Sequence, residues 1–349
     1  MTPRYNRVYL GALGYELGPV VVTSQELEDR LAAVYSRLNL QQGQLEAWTG
    51  IHERRWWQPE TKLSKGAVAA AKKALSKSPV RASDIGALIY AGVCRENFEP
   101  ATACAVADAL GVRGNACVFD LSNACLGVLN GMLEVANRIE LGQIRAGLVV
   151  SCETAREINE IMLDRLLAGE GMSQFAEGLA TLTGGSGAVA VVLTDGSFGN
   201  QPTRRLVGAV SLVAPEHHRL CRWGFEAAPG ARETQFMATD SVAVLKNGVK
   251  LAQLAWEMFL REMKWLSSDV HRVICHQVGL GHQEAVLKAL GIPKEKDYTT
   301  FRHLGNMGTV ALPATAAIAE ERGILKHGQN VAFLGIGSGL TCLMMGLEW

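Results

Sequence analysis

A helix that is apolar on nearly every side is the most distinctive hydrophobic pattern in the chain. It follows the tripeptide Asn123-Ala124-Cys125 and carries apolar residues in every turn as far as Ile139. A surface helix would show a single apolar stripe, so this pattern predicts a helix that is buried in a large interior. A short extended run precedes the tripeptide, which puts Cys125 at a predicted strand-to-helix turn.

Shorter patterns predict alternating strands and helices along the rest of the chain. One helix begins at Thr23-Ser24-Gln25-Glu26, a capping pattern whose side chains satisfy free backbone N–H groups. The predicted helices lie at about 24–38, 64–75, 126–139, 240–266 and 310–318, and the predicted strands at about 7–13, 85–90, 188–193, 273–275, 334–339 and 340–347. This alternation predicts an α/β fold.

The order of strands and helices occurs twice, with sequence matches at three corresponding places. The matched pairs are 83–89 with 268–274, 109–112 with 289–292, and 185–187 with 337–339. Two copies of one α/β unit are therefore predicted, a first half at residues 1–198 and a second half at 199–349. The first half contains an additional segment at about 151–184, which is a candidate lid, cavity wall or dimer element.

Charge and composition exclude several classes of function. The 34 Lys and Arg residues balance the 34 Asp and Glu residues, so no net field favours nucleic acid or an anionic membrane. No run approaches the roughly 18 apolar residues of a membrane span, and the N-terminus lacks the form of a signal peptide, which predicts a cytoplasmic protein. The eight cysteines include no CxxC pair, so we expect reduced thiols and no metal site.

Three polar residues are predicted to meet at one place. Cys125 precedes the buried helix, where free N–H groups and the helix dipole favour a thiolate. The repeat sets the turn at Asn306 opposite Cys125, and His276 follows the predicted strand at 273–275. A nucleophile, a proton partner and an amide donor are what thiol acyl transfer requires. Each also has an ordinary structural interpretation: a small buried hydrophobe, a core histidine and a turn residue.

With the glycine-rich final strand at Leu334 to Gly339, these motifs resemble the thiolase superfamily and, within it, β-ketoacyl-ACP synthase III. The resemblance extends over essentially the whole chain. It implies the five-layered αβαβα thiolase fold and a homodimer. It also implies that Cys125 is the acyl-accepting nucleophile, that His276 and Asn306 assist condensation, and that backbone N–H groups of Cys125 and Gly339 form the oxyanion hole.

The loop from Cys94 to Pro100 departs from ordinary synthase III. In the family this loop reaches across the dimer interface, and an aromatic residue tends to stand where this chain has Glu99. An acid there, together with Ile51 to Arg55, resembles instead the olefin-biosynthesis condensing enzymes, which join two fatty acyl-CoA molecules. A route without decarboxylation must remove an α-proton, and Glu99 near an apolar acyl channel suits the role of base. The alternative is an ordinary loop carboxylate.

Several residues are candidates for binding coenzyme A. Segment 48–57 mixes arginine with tryptophan, which suits phosphates and adenine, and a loop clamped over the core is an equally good interpretation. Lys246 and Lys250 lie on the polar face of the predicted helix at 240–266, where solvation alone also explains them. The full candidate set is Arg54, Arg55, Trp56, Arg222, Lys246 and Lys250.

Three functions follow from these residues and from the resemblance. The first is an acyltransferase of lipid biosynthesis that acylates Cys125 and performs a Claisen condensation with a second acyl-CoA, without decarboxylation, to give a β-ketoacyl product. The second is a decarboxylative 3-oxoacyl-ACP synthase III that uses malonyl-ACP. The third is a non-catalytic thiolase-fold partner subunit. We expect no tightly bound cofactor, acyl-CoA thioesters as substrates, a second copy of the chain as partner, and an acyl carrier protein as the alternative donor.

Overall fold

The computed structural model describes residues 2–169, 171–199, 204–226 and 233–349. The strands are β1 (Tyr9–Leu17), β2 (Val20–Thr23), β3 (Glu53–Trp56), β4 (Ile85–Ala91), β5 (Cys117–Leu121), β6 (Ala146–Glu153), β7 (Gly187–Thr194), β8 (Arg205–Val213), β9 (Cys221–Glu226), β10 (Thr234–Thr239), β11 (Arg272–Cys275), β12 (Asn330–Gly337) and β13 (Thr341–Glu348). The helices are α1 (Ser24–Arg30), α2 (Ala32–Leu38), α3 (Gln44–Thr49), α4 (Leu63–Ser76), α5 (Thr102–Leu110), α6 (Gly127–Glu140), α7 (Arg156–Ala168), α8 (Met172–Leu182), α9 (Ser241–Met263), α10 (Leu280–Leu290), α11 (Phe301–Leu304) and α12 (Ala311–Glu321).

One mixed sheet runs through the molecule in the order β11-β12-β13-β8-β1-β7-β6-β4-β5. On one side of the β8–β1 contact, β4 is parallel to β6, and both β6 and β1 are antiparallel to β7. On the other side, β11 is parallel to β12, and both β12 and β8 are antiparallel to β13. The two sides therefore repeat one pattern, as the sequence repeat predicts. The exact boundary between the halves, put at residues 198 and 199, stays a prediction.

Three apolar cores show how the helices cover this sheet. The central core joins α6 and α12 to the inner faces of both halves and includes Leu129, Val149, Ala314 and Phe333. A second core packs α4 and α5 on the outer face of the first half, and a third packs α9 and α10 on the outer face of the second. The resulting order of helix layer, half-sheet, helix layer, half-sheet and helix layer is the five-layered αβαβα arrangement of the thiolase fold.

The additional segment of the first half lies beside these layers. Helices α7 and α8 pack with α1 and α2 in a fourth apolar cluster, which includes Leu27, Tyr35, Leu163 and Phe175. Residues 179–181 of α8 also line the main cavity. Of the three interpretations that the sequence leaves open, the structure supports the cavity wall. Within the described ranges, no helix is long and apolar enough to cross a membrane.

Candidate active site

Three parallel strands bring their carboxyl ends to one edge of the sheet. Strands β5 and β6 both run parallel to β4, so the residues that follow them lie near one another. Cys125 comes shortly after β5, Glu153 is the last residue of β6, and the loop at residues 92–101 follows β4. In the second half, β11 runs parallel to β12 and ends directly before His276.

The turn that presents Cys125 is tight and strained. Ala124 has a φ of +45°, in the left-handed region that non-glycine residues rarely adopt. Leu126 N donates to Asn123 O at 2.9 Å, and the Asn123 side chain donates to Asn130 Oδ1 at 2.8 Å. These bonds tie the turn to the second turn of α6, so the position of the Cys125 thiol is set by the helix that follows it.

Glycines of β12 let this turn approach the opposite half closely. A Cβ built on Gly337 would lie 3.1 Å from Leu126 Cγ and 3.6 Å from Cys125 N. One built on Gly335 would lie 2.6 Å from Leu126 Cδ2, which is closer than non-bonded atoms can approach. The glycine-rich final strand is therefore a packing surface for the start of α6.

The second half also caps the helix of Cys125. Val128 N, in the first turn of α6, donates to Thr309 Oγ1 at 2.7 Å, and both residues are buried. The residue that precedes α6, Leu126, supplies no side-chain cap. A free N–H of the first turn is thus satisfied by a hydroxyl 181 positions away in sequence. This bond fixes the start of α6 relative to the turn that carries Asn306.

Cys125, His276 and Asn306 line one cavity of about 880 Å³. Apolar side chains from α7, α8, α9 and β10 form much of its wall, among them Ile158, Leu179, Met237 and Leu245. Glu153 and His282 line the same cavity. The three residue types that the sequence predicts to converge are therefore brought to one space from three separate turns.

The imidazole of His276 is uncharged at neutral pH. Its backbone N donates to Leu334 O at 3.0 Å, and its Nδ1 is buried without a hydrogen-bond partner among the described residues. Burial, and then the nearby His282, lower the pKa of His276 to about 4. At neutral pH the ring therefore has one nitrogen that accepts a proton and one that donates a hydrogen bond.

Asn306 is held on both sides by backbone hydrogen bonds. Its N donates to Thr183 O, and its O accepts from Gly185 N, both at 2.9 Å. Its Oδ1 accepts from Gly308 N at 3.1 Å inside the turn. The side-chain NH₂ group is thereby the part of Asn306 that remains to donate into the cavity.

Gln277 joins the His276 turn to the segment that leads to Asn306. Its Nε2 donates to Cys275 O at 2.7 Å, and its Oε1 accepts from Thr300 N at 2.8 Å and from Phe301 N at 3.2 Å. The side chain is only 1% exposed, so these bonds are shielded from water. The two turns therefore form one unit.

The surroundings of Cys125 work against the thiolate that the sequence predicts. Burial, and then the neighbouring Cys221 and Glu153, raise the pKa of the Cys125 thiol to about 12. The first helical residue is Gly127, so the thiol lies outside the helix, and removal from bulk water outweighs the helix dipole. The side chain of Cys125 is therefore a thiol at rest, and a role as nucleophile requires its proton to leave as the sulfur attacks. His276 lines the same cavity and is uncharged, so it has the capacity to accept that proton.

Two further site predictions lie at the edge of the cavity or outside it. Gly337, Ser338 and Leu340 line the cavity and flank Gly339, whose own atoms do not line it. Glu99 is exposed at the tip of its loop, away from the cavity of its own chain. Its assignment as base therefore depends on a second protomer.

Of the predicted coenzyme A contacts, Arg222 and Lys246 line the cavity and are exposed, whereas Lys250 is exposed elsewhere on α9. The segment containing Arg54, Arg55 and Trp56 is a strand, β3, paired with β2, and not a binding loop. Those three residues do not line the cavity.

Arg54 is completely buried, and its guanidinium donates to Ser24 Oγ at 3.0 Å and to Val22 O at 3.4 Å. Burial lowers its pKa to about 10. Trp56 Nε1 donates to Gly184 O at 3.2 Å, next to the turn of Asn306, and Arg55 pairs with Glu53 at 3.5 Å. These residues pack behind the cavity wall, and the contact with coenzyme A that the sequence predicts for them stays a prediction.

Glu153 and His282 are cavity residues that the sequence analysis missed. Glu153 is 4% exposed, and its carboxylate ends the wholly buried strand β6. The sequence did contain a signal for Glu153: an acidic residue ends an apolar strand at the sheet edge where Cys125 lies, which indicates a site residue. His282 lies six residues after His276 in the first turn of α10, and nothing in the local pattern distinguishes it. Among the described residues, no group of His, Cys, Asp and Glu is arranged to hold a metal ion.

The chain is similar to known proteins over its whole length. Residues 260–349 match the family model described as 3-oxoacyl-[acyl-carrier-protein (ACP)] synthase III C terminal. An acyl-CoA:acyl-CoA alkyltransferase of Shewanella oneidensis is 54% identical over 348 residues, covering 99% of this chain and 100% of the relative. One from Xanthomonas campestris is 35% identical, with 99% of each covered. A crystal structure of Xanthomonas campestris OleA with bound lauric acid and lauroyl-CoA has a TM-score of 0.90 and 34% identity, and covers 99% of this chain and 100% of that chain.

Proposed function

Because this chain belongs to the acyl-CoA:acyl-CoA alkyltransferase family, we propose that it joins two acyl-CoA molecules, without decarboxylation, through a covalent intermediate on Cys125. It is an acyltransferase-type condensing enzyme with the thiolase fold. The observation that carries the proposal is the convergence of Cys125, His276 and Asn306 on one cavity with apolar walls. The alkyltransferase relatives, at 54% and 35% identity, are more similar to this chain than the synthase III relatives at 30%, which supports this function over the decarboxylative alternative and over a non-catalytic subunit.

In the first step, the Cys125 sulfur attacks the carbonyl carbon of the first acyl-CoA. The new bond is the Cys125 thioester, and the bond that breaks joins the acyl carbon to the coenzyme A sulfur. His276 takes the thiol proton as attack occurs and returns it to the departing coenzyme A thiolate. Backbone N–H groups of Cys125 and Gly339 are proposed to stabilise the oxyanion.

In the second step, Glu99 removes an α-proton from the second acyl-CoA. The resulting carbanion attacks the Cys125 thioester, a carbon–carbon bond forms, and the bond to the Cys125 sulfur breaks. Hydrogen bonds from His276 and Asn306 stabilise the enolate oxygen of the second thioester, because negative charge develops there. The Cys125 thiolate regains the proton that Glu99 removed, and a β-ketoacyl-CoA is released for lipid biosynthesis.

The exposed position of Glu99 supports a homodimer in which this residue acts in trans. Its neighbour Phe98 is 97% exposed, an unusual state for a large apolar side chain unless another surface covers it. The loop tip would then enter the cavity of the partner protomer. Arg222 and Lys246 at the cavity wall are proposed to contact the phosphates of coenzyme A. We propose no tightly bound cofactor beyond these substrates.

Intact-protein mass spectrometry tests the nucleophile and the base separately. With one acyl-CoA, the parent is expected to gain one acyl group and release coenzyme A, and Cys125→Ser is expected to gain none. Glu99→Gln keeps the shape but loses basicity, so it should be acylated normally and condense roughly 10² to 10⁴ times more slowly. Asn306→Ala should be acylated and then condense poorly, whereas His276→Ala should be slow in both steps, because its ring also accepts the thiol proton. The proposal fails if Glu99→Gln condenses at the parent rate, or if the parent turns over only with malonyl-ACP.

Mixed dimers test whether Glu99 acts in trans. A dimer of Glu99→Gln and Cys125→Ser protomers has one site with both groups intact if the base comes from the partner. About half the parent activity per dimer should then return. If the base acts within its own chain, both sites lack one group and no activity returns.

A further inference from the structure

The loop that carries Glu99 is anchored at its root by a buried carboxylate. Glu153 Oε1 accepts from Val93 N at 2.8 Å, and Glu153 Oε2 accepts from Cys94 N at 3.1 Å. The residue before them is Gly92, where a Cβ would lie only 3.2 Å from Glu153 Oε1. Both oxygens of one carboxylate therefore bind consecutive N–H groups where the chain leaves β4.

Other contacts hold both ends of the loop, and its tip at residues 97–100 is exposed throughout. The Tyr90 hydroxyl lies 2.7 Å from Cys152 O and 2.9 Å from Cys94 O, which ties the loop root to the end of β6. Further along, Ser64 N donates to Glu96 Oε1 at 2.7 Å. At the far end, Asp120 accepts from the first two N–H groups of α5. Residues 97–100 project from this support into solvent.

Glu153 also lies in the cavity of its own chain. It lines the same space as Cys125, and a Cβ on Gly308, beside the Asn306 turn, would lie 3.6 Å from Glu153 Cγ. One carboxylate thus lies between two sites: the cavity of its own protomer, and the loop proposed to enter the partner's cavity. Its geometry allows a role at either one.

We infer that Glu153 is a positioning residue that holds the loop at 92–101, so that Glu99 reaches the α-carbon in the partner's cavity. This inference rests on the proposed function. Both oxygens of Glu153 already bind loop N–H groups, whereas no side chain of the catalytic set donates to it among the described residues. A misplacement of about 1 Å at a reacting group costs on the order of 10²-fold in rate, so a loosened root suffices to impair the base.

Glu153→Gln removes one of the two acceptors and sets an amide NH₂ against a backbone N–H. We expect Cys125 still to gain one full acyl group, condensation to fall on the order of 10²-fold, and peptides covering 92–101 to exchange hydrogen faster. Glu153→Asp keeps a carboxylate and should recover part of the rate. Glu157→Gln is the matched control, since it removes the same charge from an exposed position four residues away and should condense normally.

Two crossed mixed dimers separate the loop role from a direct role. If Glu153 acts through the loop, pairing Glu153→Gln with Cys125→Ser leaves one intact site, and about half the parent activity per dimer returns. Pairing Glu153→Gln with Glu99→Gln then restores nothing, because both changes damage a loop. If Glu153 acts in its own cavity, the two results are exchanged, and the inference is overturned.

Further outcomes distinguish failure of the inference from failure of the proposed function. If Glu153→Gln condenses at the parent rate and Glu99→Gln does not, the inference about Glu153 is overturned and the proposed function stands. Glu99→Gln at the parent rate overturns the proposed base whatever Glu153→Gln does. In the double variant, loss of Glu153 should add less than about threefold to the loss from Glu99→Gln, because the two act as one unit. If Glu153→Gln does not fold, the same crossed dimers are made with Glu153→Asp; the dimer with Cys125→Ser should then recover more activity than the dimer with Glu99→Gln, by a smaller margin, and the reverse order overturns the inference.

Discussion

Replacing Thr309 with valine tests whether the second half holds the helix of the nucleophile. Thr309 Oγ1 accepts from Val128 N at 2.7 Å, and the two residues are 2% and 0% exposed. Valine has nearly the shape of threonine, so the change removes the acceptor and leaves the packing. The Val128 N–H then faces an apolar group where water does not reach it.

The expected loss follows from this burial. Leaving a buried donor unsatisfied costs about 1–3 kcal/mol, and loss of a helix cap costs about 0.5–2 kcal/mol when water can replace it. Since Val128 is fully buried, we expect Thr309→Val to lower the free energy of unfolding by about 1–3 kcal/mol. Urea unfolding followed by far-UV circular dichroism measures this difference.

Thr181→Val is the matched control. Thr181 is also 2% exposed, but its hydroxyl has no hydrogen-bond partner in the part of the chain that the structure describes. Removing an unsatisfied hydroxyl should leave stability unchanged or raise it. The reasoning is refuted if Thr309→Val is as stable as the parent within about 0.5 kcal/mol, a typical error for independent sites, or if both variants lose the same amount.

Three further outcomes are expected. Burial lowers the pKa of His282 to about 4. As pH falls below about 6.5, the imidazole of the unfolded chain is therefore protonated before that of the folded chain. The contribution of the neutral ring to stability is complete above about pH 6.5 and is lost towards pH 4. Between pH 7 and pH 5 the parent should lose about 2 kcal/mol more than His282→Gln in urea unfolding, and equal losses would contradict this cause. Alkylation of Cys125 by iodoacetamide should rise with pH without a plateau below pH 9, because its pKa is raised to about 12, whereas a plateau near pH 7 would restore the stabilised thiolate. A Cβ on residue 131 would lie 2.7 Å from Val149 Cγ1, so Gly131→Ala should lower the free energy of unfolding by about 1–3 kcal/mol. Gly281 in α10 has open space around it, so Gly281→Ala should raise the free energy of unfolding by about 0.5–1 kcal/mol. Thermal unfolding distinguishes the two variants.

Local and periodic features of the sequence were sufficient for much of the fold. The capping box at Thr23 is present, with Glu26 N donating to Thr23 Oγ1 at 3.0 Å and Thr23 N donating to Glu26 Oε2 at 2.6 Å. Helix α6 lies within one residue of the predicted bounds, because a run that is apolar on all sides has no other stable location than the interior. The repeat predicted which turns face each other, since two copies of one unit share one topology.

Features that depend on packing between distant segments were not predictable. The helix predicted at 24–38 is two helices, because the backbone turns at Leu31, with φ −95° and ψ 15°. The cluster of arginine and tryptophan looks like a ligand site in sequence, but Arg54 is buried by β2 and α1 and contacts no cavity. Sequence spacing gives the order of residues along a strand, whereas the side of the sheet that becomes buried depends on what packs against it.

The protonation states of Cys125 and His276 could not be predicted from the sequence, because they depend on burial. They also determine what the two residues can do in each of the two proposed steps. A helix N-terminus lowers a thiol pKa only where the thiol keeps enough polar surroundings, and here burial raises the Cys125 pKa to about 12 and lowers that of His276 to about 4. Both groups are consequently neutral before substrate binds. In the proposed acylation step, a neutral imidazole accepts the proton as the sulfur attacks; in the proposed condensation step, the same neutral ring donates a hydrogen bond to the enolate oxygen. The proposal thus uses one histidine in both steps from a single resting state, and it requires a separate base for the α-proton. For this reason it expects changes at Glu99, and at the carboxylate inferred to hold its loop, to impair the second step alone.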